Sequence, residues 1–117
     1  MDRLREQLQI LQDNHVPVIF RPYHEAEGNG GLNGEGAWFW WASAGAEVYK
    51  QLWDMLYTEL TETYGLHNLI WTYNSYVYPT SPAWYPGDDQ VISSAMINTI
   101  RSTTAMTVCR ACPMRMR

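Results

Sequence analysis
Residues 92–117 contain no acidic residue, no aromatic and no glycine, although the 117-residue chain carries 12 acids and 8 glycines. That stretch holds instead four arginines, four of the six methionines and both cysteines, Cys109 and Cys112. Residues 1–91 hold all 12 acids against four cations, Arg3, Arg5, Arg21 and Lys50, so a formal −8 is followed by +4. A shift this sharp marks a boundary near residue 91. The net charge of −4 argues against nucleic acid and against an anionic membrane surface. Long apolar runs are also missing, and nothing approaches the roughly 20 residues of a membrane span. Met1-Asp2-Arg3-Leu4-Arg5 lacks the apolar core of a secretory signal. The numbering is therefore expected to begin inside a larger protein, and localisation stays unassigned. Cys109-Arg110-Ala111-Cys112 has no partner pair and no βαβ context, so it reads as neither a metal nor a redox motif. His15 and His67 stand too far from other ligand types to suggest a metal site.

What is present fits one small domain, with a high share of Trp and Tyr, 6 and 8 residues respectively. Leu4, Leu8 and Leu11 recur at helical spacing, which predicts an amphipathic helix over 2–13 that Asn14-His15 ends. Val16–Tyr23 reads as a strand. Its centre, Val18-Ile19-Phe20, has no polar face and suits burial on both sides of a parallel sheet, and Pro17 and Pro22 sit near its ends, where proline is tolerated. Residues 26–37 are Gly/Asn-rich and read as a long loop, hence a functional one. A second helix is predicted over 45–64, with Val48, Leu52, Met55, Leu56 and Leu60 as its apolar stripe and Gly65 as its stop. Leu66–Tyr73 follows as a strand, and 74–90 as a loop. Val91 is a possible start for a third strand, but the residues after it are poor strand formers. Helix, strand, loop, helix, strand is the βαβ order of a parallel sheet.

One segment carries chemistry. The first strand runs straight into His24-Glu25, and Trp38-Phe39-Trp40-Trp41 follows one loop later. A carboxyl group at a rigid strand end can move a proton. Flat indole faces stack on the C–H faces of sugar rings while the ring hydroxyls hydrogen-bond at the rim. Arg21-Pro22-Tyr23-His24-Glu25 and Trp38-Phe39-Trp40-Trp41 resemble the signature of glycoside hydrolase family 26. Gly65-Leu66-His67-Asn68-Leu69-Ile70-Trp71 and Tyr85-Pro86-Gly87-Asp88-Asp89 resemble that family's next strand and the turn after it. The four blocks stand in the family's order and cover about residues 1–91. The departures are the long Gly/Asn-rich insertion before Trp38, and Ala42 where a glycine is usual.

The resemblance implies an α/β fold that is a fragment of a (β/α)8 TIM barrel, about strands four and five with their helices. Sites in such barrels lie at the C-terminal strand ends. It implies endo-hydrolysis of β-1,4-mannan with retention, a mannan-type polysaccharide as partner and no cofactor. Glu25 then resembles the general acid/base. His24 would orient that carboxylate or contact sugar, with a structural histidine as the alternative. Arg21 would fork onto a carboxylate, with a structural ion pair equally open. Trp38 is the candidate sugar platform. Trp40 and Trp41 are expected to pack under the loop, Trp71 to be core, and Asp88 and Asp89 to serve the turn; Asn74 and Tyr76 are weaker candidates for reaching sugar. Retaining glycosidases need a second carboxyl group. In the family it comes from strand seven, and no acid within 1–91 sits in an equivalent motif. The fragment is therefore expected to be inactive alone, with a carbohydrate-binding remnant or an inert gene product as alternatives. Unpaired strand edges are expected to favour self-association. Back-translated and shifted by one base, residues 92–101 can encode Asp-Ile-Val-Gly-Tyr-Asp-Lys-Tyr-Asn-Thr, the family's sixth strand, so 92–117 is expected to be an out-of-frame tail.

Overall fold
The computed structural model describes residues 1–28 and 31–96. Helix α1 spans Asp2–Asp13, strand β1 Val18–Phe20, helix α2 Ala46–Thr58, strand β2 Leu69–Ser75, the short helix α3 Ser81–Trp84 and strand β3 Ser93–Met96. A 3-10 helix, Trp40–Ala42, precedes α2, and a π-helical turn, Glu59–Thr63, prolongs it. The three strands are parallel in the order β1-β2-β3. Val18, Ile19 and Phe20 face Leu69, Ile70 and Trp71 in register, and Thr72 to Ser75 face Ser93 to Met96. The parallel βαβ order read from the sequence is therefore present. The tail beyond Met96, with both cysteines, lies outside the described residues.

Helix α1 ends where its sequence says it should. His15 adopts a left-handed φ of 57°, and the N–H groups of His15 and Val16 return to the carbonyls of Gln12 and Leu11 at 2.9 Å each. These two bonds satisfy carbonyls that a helix end leaves orphaned. Gln12 then ties α1 to the second turn: its amide donates to Gly65 O at 3.0 Å and its carbonyl accepts from His67 N–H at 2.6 Å. Gly65 closes the π-helical turn at φ 64°, with Leu66 N–H reaching back to Leu60 O at 3.0 Å.

Three expectations need correction. First, α2 buries only part of the expected stripe, Leu56 and Leu60 with Leu52 half-buried, and adds Tyr49 and Trp53 to it. Tyr49, Trp53, Leu56 and Leu60 face the sheet, Val48 is exposed, and Met55 is 69% exposed. The wide rings of Tyr49 and Trp53 fill the space over Trp71, Tyr73 and Trp84, with ring centroids 5.5–6.3 Å apart. The deepest positions therefore follow the aromatic residues, which carry the most apolar area. Second, β1 is shorter than Val16–Tyr23 and is not buried on both faces: Ile19 is 75% exposed. It is an edge strand, and only the face carrying Phe20, whose ring meets Trp71 edge-on at 5.0 Å, is packed. Third, the poor strand formers after Val91 do form β3. Backbone pairing to β2 needs no particular side chains, and Ile92 N–H already bonds Trp71 O at 3.0 Å. Segment 74–90 is likewise less irregular than expected, because β2 continues to Ser75 and α3 interrupts the loop.

Candidate functional site
The site grows from the C-terminal end of β1. After Phe20 the chain turns through Arg21-Pro22, and both Tyr23 and Glu25 adopt left-handed backbone angles, φ 49° and 54°. Such angles are rare for bulky residues and persist only where surrounding contacts impose them. The contacts here are explicit. The Tyr23 ring packs against Tyr49, Trp41 and Trp40 at 6.2–6.5 Å between centroids, and the Tyr49 hydroxyl donates to Tyr23 O at 3.2 Å. Burial pushes the Tyr49 phenol far above its ordinary value, so this hydroxyl keeps its proton and remains a donor. The His24 ring lies 4.8 Å from Phe39 and 5.5 Å from Trp41, while the Trp41 indole N–H donates to His24 O at 3.0 Å. Phe39 and Trp41 stack at 4.4 Å and 8°. The Trp38–Trp41 segment is thus docked onto the strand end by its second and fourth residues.

Glu25 emerges half-buried from this frame, between two fully buried neighbours, Ala26 and Glu27, on one side and the His24 ring stack on the other. Its charge bears on the Tyr76 phenol, just past β2. Burial first, then the charge of Glu25, push the Tyr76 phenol up to about 12. The same end of β2 borders a cavity of about 380 Å³ walled by Tyr73, Tyr76, Tyr78 and Tyr85, in which Tyr76 and Tyr78 stack at 5.6 Å.

The other expected residues are placed as follows. His24 packs against the aromatic pair and so shares the frame of Glu25. Trp38 is 60% exposed and presents its ring to solvent, a position open to a ligand. Arg21 is exposed and makes no ion pair among the described residues. Trp41 packs under the loop as expected, but Trp40 does not: it is 70% exposed. Neighbouring side chains on the short 3-10 helix diverge, so burying Trp41 turns Trp40 outward. Trp71 is core. Asp88 serves the turn, accepting from the Tyr85 hydroxyl at 2.7 Å. Among the described residues no group of three or more His, Cys, Asp or Glu side chains gathers as a metal site would require.

Reasoning from sequence missed Glu27. It is 2% exposed and accepts from Thr80 Oγ1 at 2.9 Å and Ser81 Oγ at 2.7 Å. The only signal was local, two hydroxyl residues directly before Pro82 at the start of a helix; nothing in it points to a carboxyl group more than fifty residues earlier.

Comparison with known proteins supplies the context for this geometry. A family model described as glycosyl hydrolase family 26 matches residues 1–97. Mannan endo-1,4-beta-mannosidase from Thermothelomyces thermophilus is 46% identical over 91 residues, 78% of this chain and 16% of that protein. A ruminal GH26 endo-beta-1,4-mannanase superposes with a TM-score of 0.80 at 52% identity, over 86% of this chain and 22% of that one. The beta-mannanase of a symbiotic protist of the termite Reticulitermes speratus, solved with a gluco-manno-oligosaccharide, superposes with a TM-score of 0.67 at 37% identity, over 80% of this chain and 26% of that one. The chain therefore spans roughly a sixth to a quarter of the length of these relatives.

Proposed function
Because this chain belongs to glycosyl hydrolase family 26, a family of TIM-barrel enzymes, we propose that it is a piece of a retaining endo-β-1,4-mannanase in which Glu25 is the proton donor. Strands β1 and β2 correspond in this reading to barrel strands four and five. The observation that carries it is the position of Glu25, half-buried just past the end of β1, with the Trp38–Trp41 segment docked beside it. In the forward step Glu25 protonates the departing glycosidic oxygen, and in the second step it takes a proton from the incoming water. His24 fixes the frame of that carboxyl group, Trp38 offers a stacking face to a sugar ring, and Arg21 supplies an exposed guanidinium for a carboxylate or a sugar hydroxyl.

The attacking carboxylate is not Glu27. That group is sealed from solvent under two hydroxyls and has no open face toward a sugar. The chain alone is therefore inactive in this reading. It also self-associates through the open edge of β1, where Ile19 stands exposed. Residues 92–117 read as an out-of-frame tail, which the sequence of the gene checks directly.

The test is a transplant. Residues 1–91 replace the matching segment of the ruminal mannanase, and reducing sugar released from β-1,4-mannan is measured. We expect the hybrid to hydrolyse mannan and its Glu25→Ala form to lose that activity; a folded hybrid equally active with alanine at 25 overturns the assignment. The isolated chain, assayed in parallel, is expected to release no more sugar than its own Glu25→Ala control and to grow in mass with concentration by light scattering.

The outward rings of Trp38 and Trp40 favour one second reading, sugar binding without cleavage. Titrating the chain with mannooligosaccharides is then expected to shift tryptophan emission at millimolar ligand, and Trp38→Ala to remove the shift. An unchanged spectrum in the parent chain counts against it.

A further inference from the structure
Glu25 holds a backbone angle that an L-residue seldom adopts, φ 54°, and the chain is fastened on both sides of it. Upstream, His24 O accepts the Trp41 indole N–H at 3.0 Å, and Tyr23 O accepts the Tyr49 hydroxyl at 3.2 Å. Downstream, Ala26 and Glu27 are both fully buried. Glu27 is a carboxyl group for which the proposed chemistry has no use. Its two oxygens accept the Thr80 hydroxyl at 2.9 Å and the Ser81 hydroxyl at 2.7 Å. Thr80 and Ser81 open helix α3, and Ser81 is itself held: its Oγ accepts Tyr78 N–H at 2.9 Å, and its N–H donates to Tyr78 O at 3.0 Å. Ser81 Oγ also lies 2.9 Å from Tyr76 O, but the contact to Glu27 is the shorter one. A left-handed angle crowds Cβ against the following carbonyl oxygen, so it persists only where the surroundings impose it. With the upstream end pinned by aromatic rings, a clamp two residues downstream leaves the chain between them little choice of path.

We propose that Glu27 is a positioning residue: clamped by Thr80 and Ser81, it holds Glu25 in its left-handed conformation and so sets the direction of the Glu25 carboxyl group. With the clamp released, Glu25 returns to a negative φ, which turns its Cβ and carboxyl group away from their present direction. The role as part of a reaction rests on Glu25 being the proton donor. The clamp itself does not, and it is tested without sugar.

Thermal melts of the purified full chain, followed by far-UV circular dichroism, compare glycine with alanine at position 25. Both substitutions remove the carboxyl group, so they differ only in Cβ. At a left-handed position glycine carries no strain and melts higher; at an ordinary position it melts lower, because it loses more freedom on folding. With the clamp intact, Glu25→Gly is expected to melt roughly 5 °C above Glu25→Ala. In a Glu27→Ala background that order is expected to reverse. Should Glu27→Ala unfold the chain, Ser81→Ala, which removes the shorter bond, serves as the background and is read by the same sign. His15, left-handed at φ 57° where α1 ends, is the control: His15→Gly is expected to melt above His15→Ala in every background. An equal gap at position 25 with and without the clamp means that Glu27 supports the fold alone, and overturns the proposal. So does Glu25→Ala melting at or above Glu25→Gly in the parent, or a reversal at position 15 as well. Because no sugar is involved, a failed hydrolysis test leaves this result standing, and the reverse also holds.

Discussion
Trp53→Ala is expected to unfold this chain under conditions where the parent is folded. The indole is fully buried and lies against Tyr49, Trp71 and Tyr73, with ring centroids 5.8–6.3 Å away. It is therefore the common neighbour of the helix and the central strand. Truncating a buried Trp to Ala costs about 3–5 kcal/mol, from lost transfer energy and the cavity left behind. The net stability of a small domain is about 5–15 kcal/mol, and this core has an open edge at β1, so the loss is a large fraction of the whole. Urea denaturation followed by far-UV circular dichroism measures it. Trp53→Phe is the control. The indole N–H has no hydrogen-bond partner among the described residues, so phenylalanine sacrifices no polar contact and should cost much less. Equal midpoints for Trp53→Ala and the parent would falsify the core described above.

Gly34→Ala is expected to disturb the loop that carries Trp38 far more than a glycine substitution usually does. Gly34 has φ 81°, and a Cβ there would run into the backbone carbonyls of Ser43 and of Ala42, the latter at 2.6 Å. Neither oxygen can swing away, because Ser43 and Ala42 belong to the turn that places Trp40 and Trp41. Gly65 isolates the backbone contribution. It has φ 64° but open space where a Cβ would go, its nearest neighbour being His67 Nε2 at 4.0 Å. Gly65→Ala should then cost about 1 kcal/mol, the penalty of a left-handed L-residue. Gly34→Ala adds a steric collision and should cost roughly 3 kcal/mol, a drop in Tm on the order of 10 °C. Its tryptophan emission should shift as well, whereas that of Gly65→Ala should not. Equal melting temperatures for the two variants would remove the tight seat proposed for this loop.

Much of this arrangement was legible in the chain. Val18-Ile19-Phe20 and Leu69-Ile70-Trp71 are short apolar runs with little else to be, and they pair in register. Asn14-His15 and Gly65 end their helices, with His15 and Gly65 in the left-handed region that closes a helix. Arg21–Glu25 and Trp38–Trp41 identified the strand end and its aromatic segment, since both are contiguous in sequence. The phase of α2 was not legible. Spacing alone admits two overlapping stripes, and the choice between them was made by the space available above Trp71 and Tyr73. The outward turn of Trp40 was decided by its neighbour, because only one of two adjacent rings can stack on Phe39.

By itself, then, the amino-acid order determined roughly where α1, β1, α2 and β2 lie, which family they belong to and which carboxyl group stands past the end of β1, because each of these is written in contacts between near neighbours along the chain; α3 and β3 were not among them. Folding alone decided that Glu27 is sealed beneath Thr80 and Ser81. Those partners lie some fifty residues apart, and hydrogen bonds between them exist only once parallel pairing of β1 and β2 brings the two strand ends side by side.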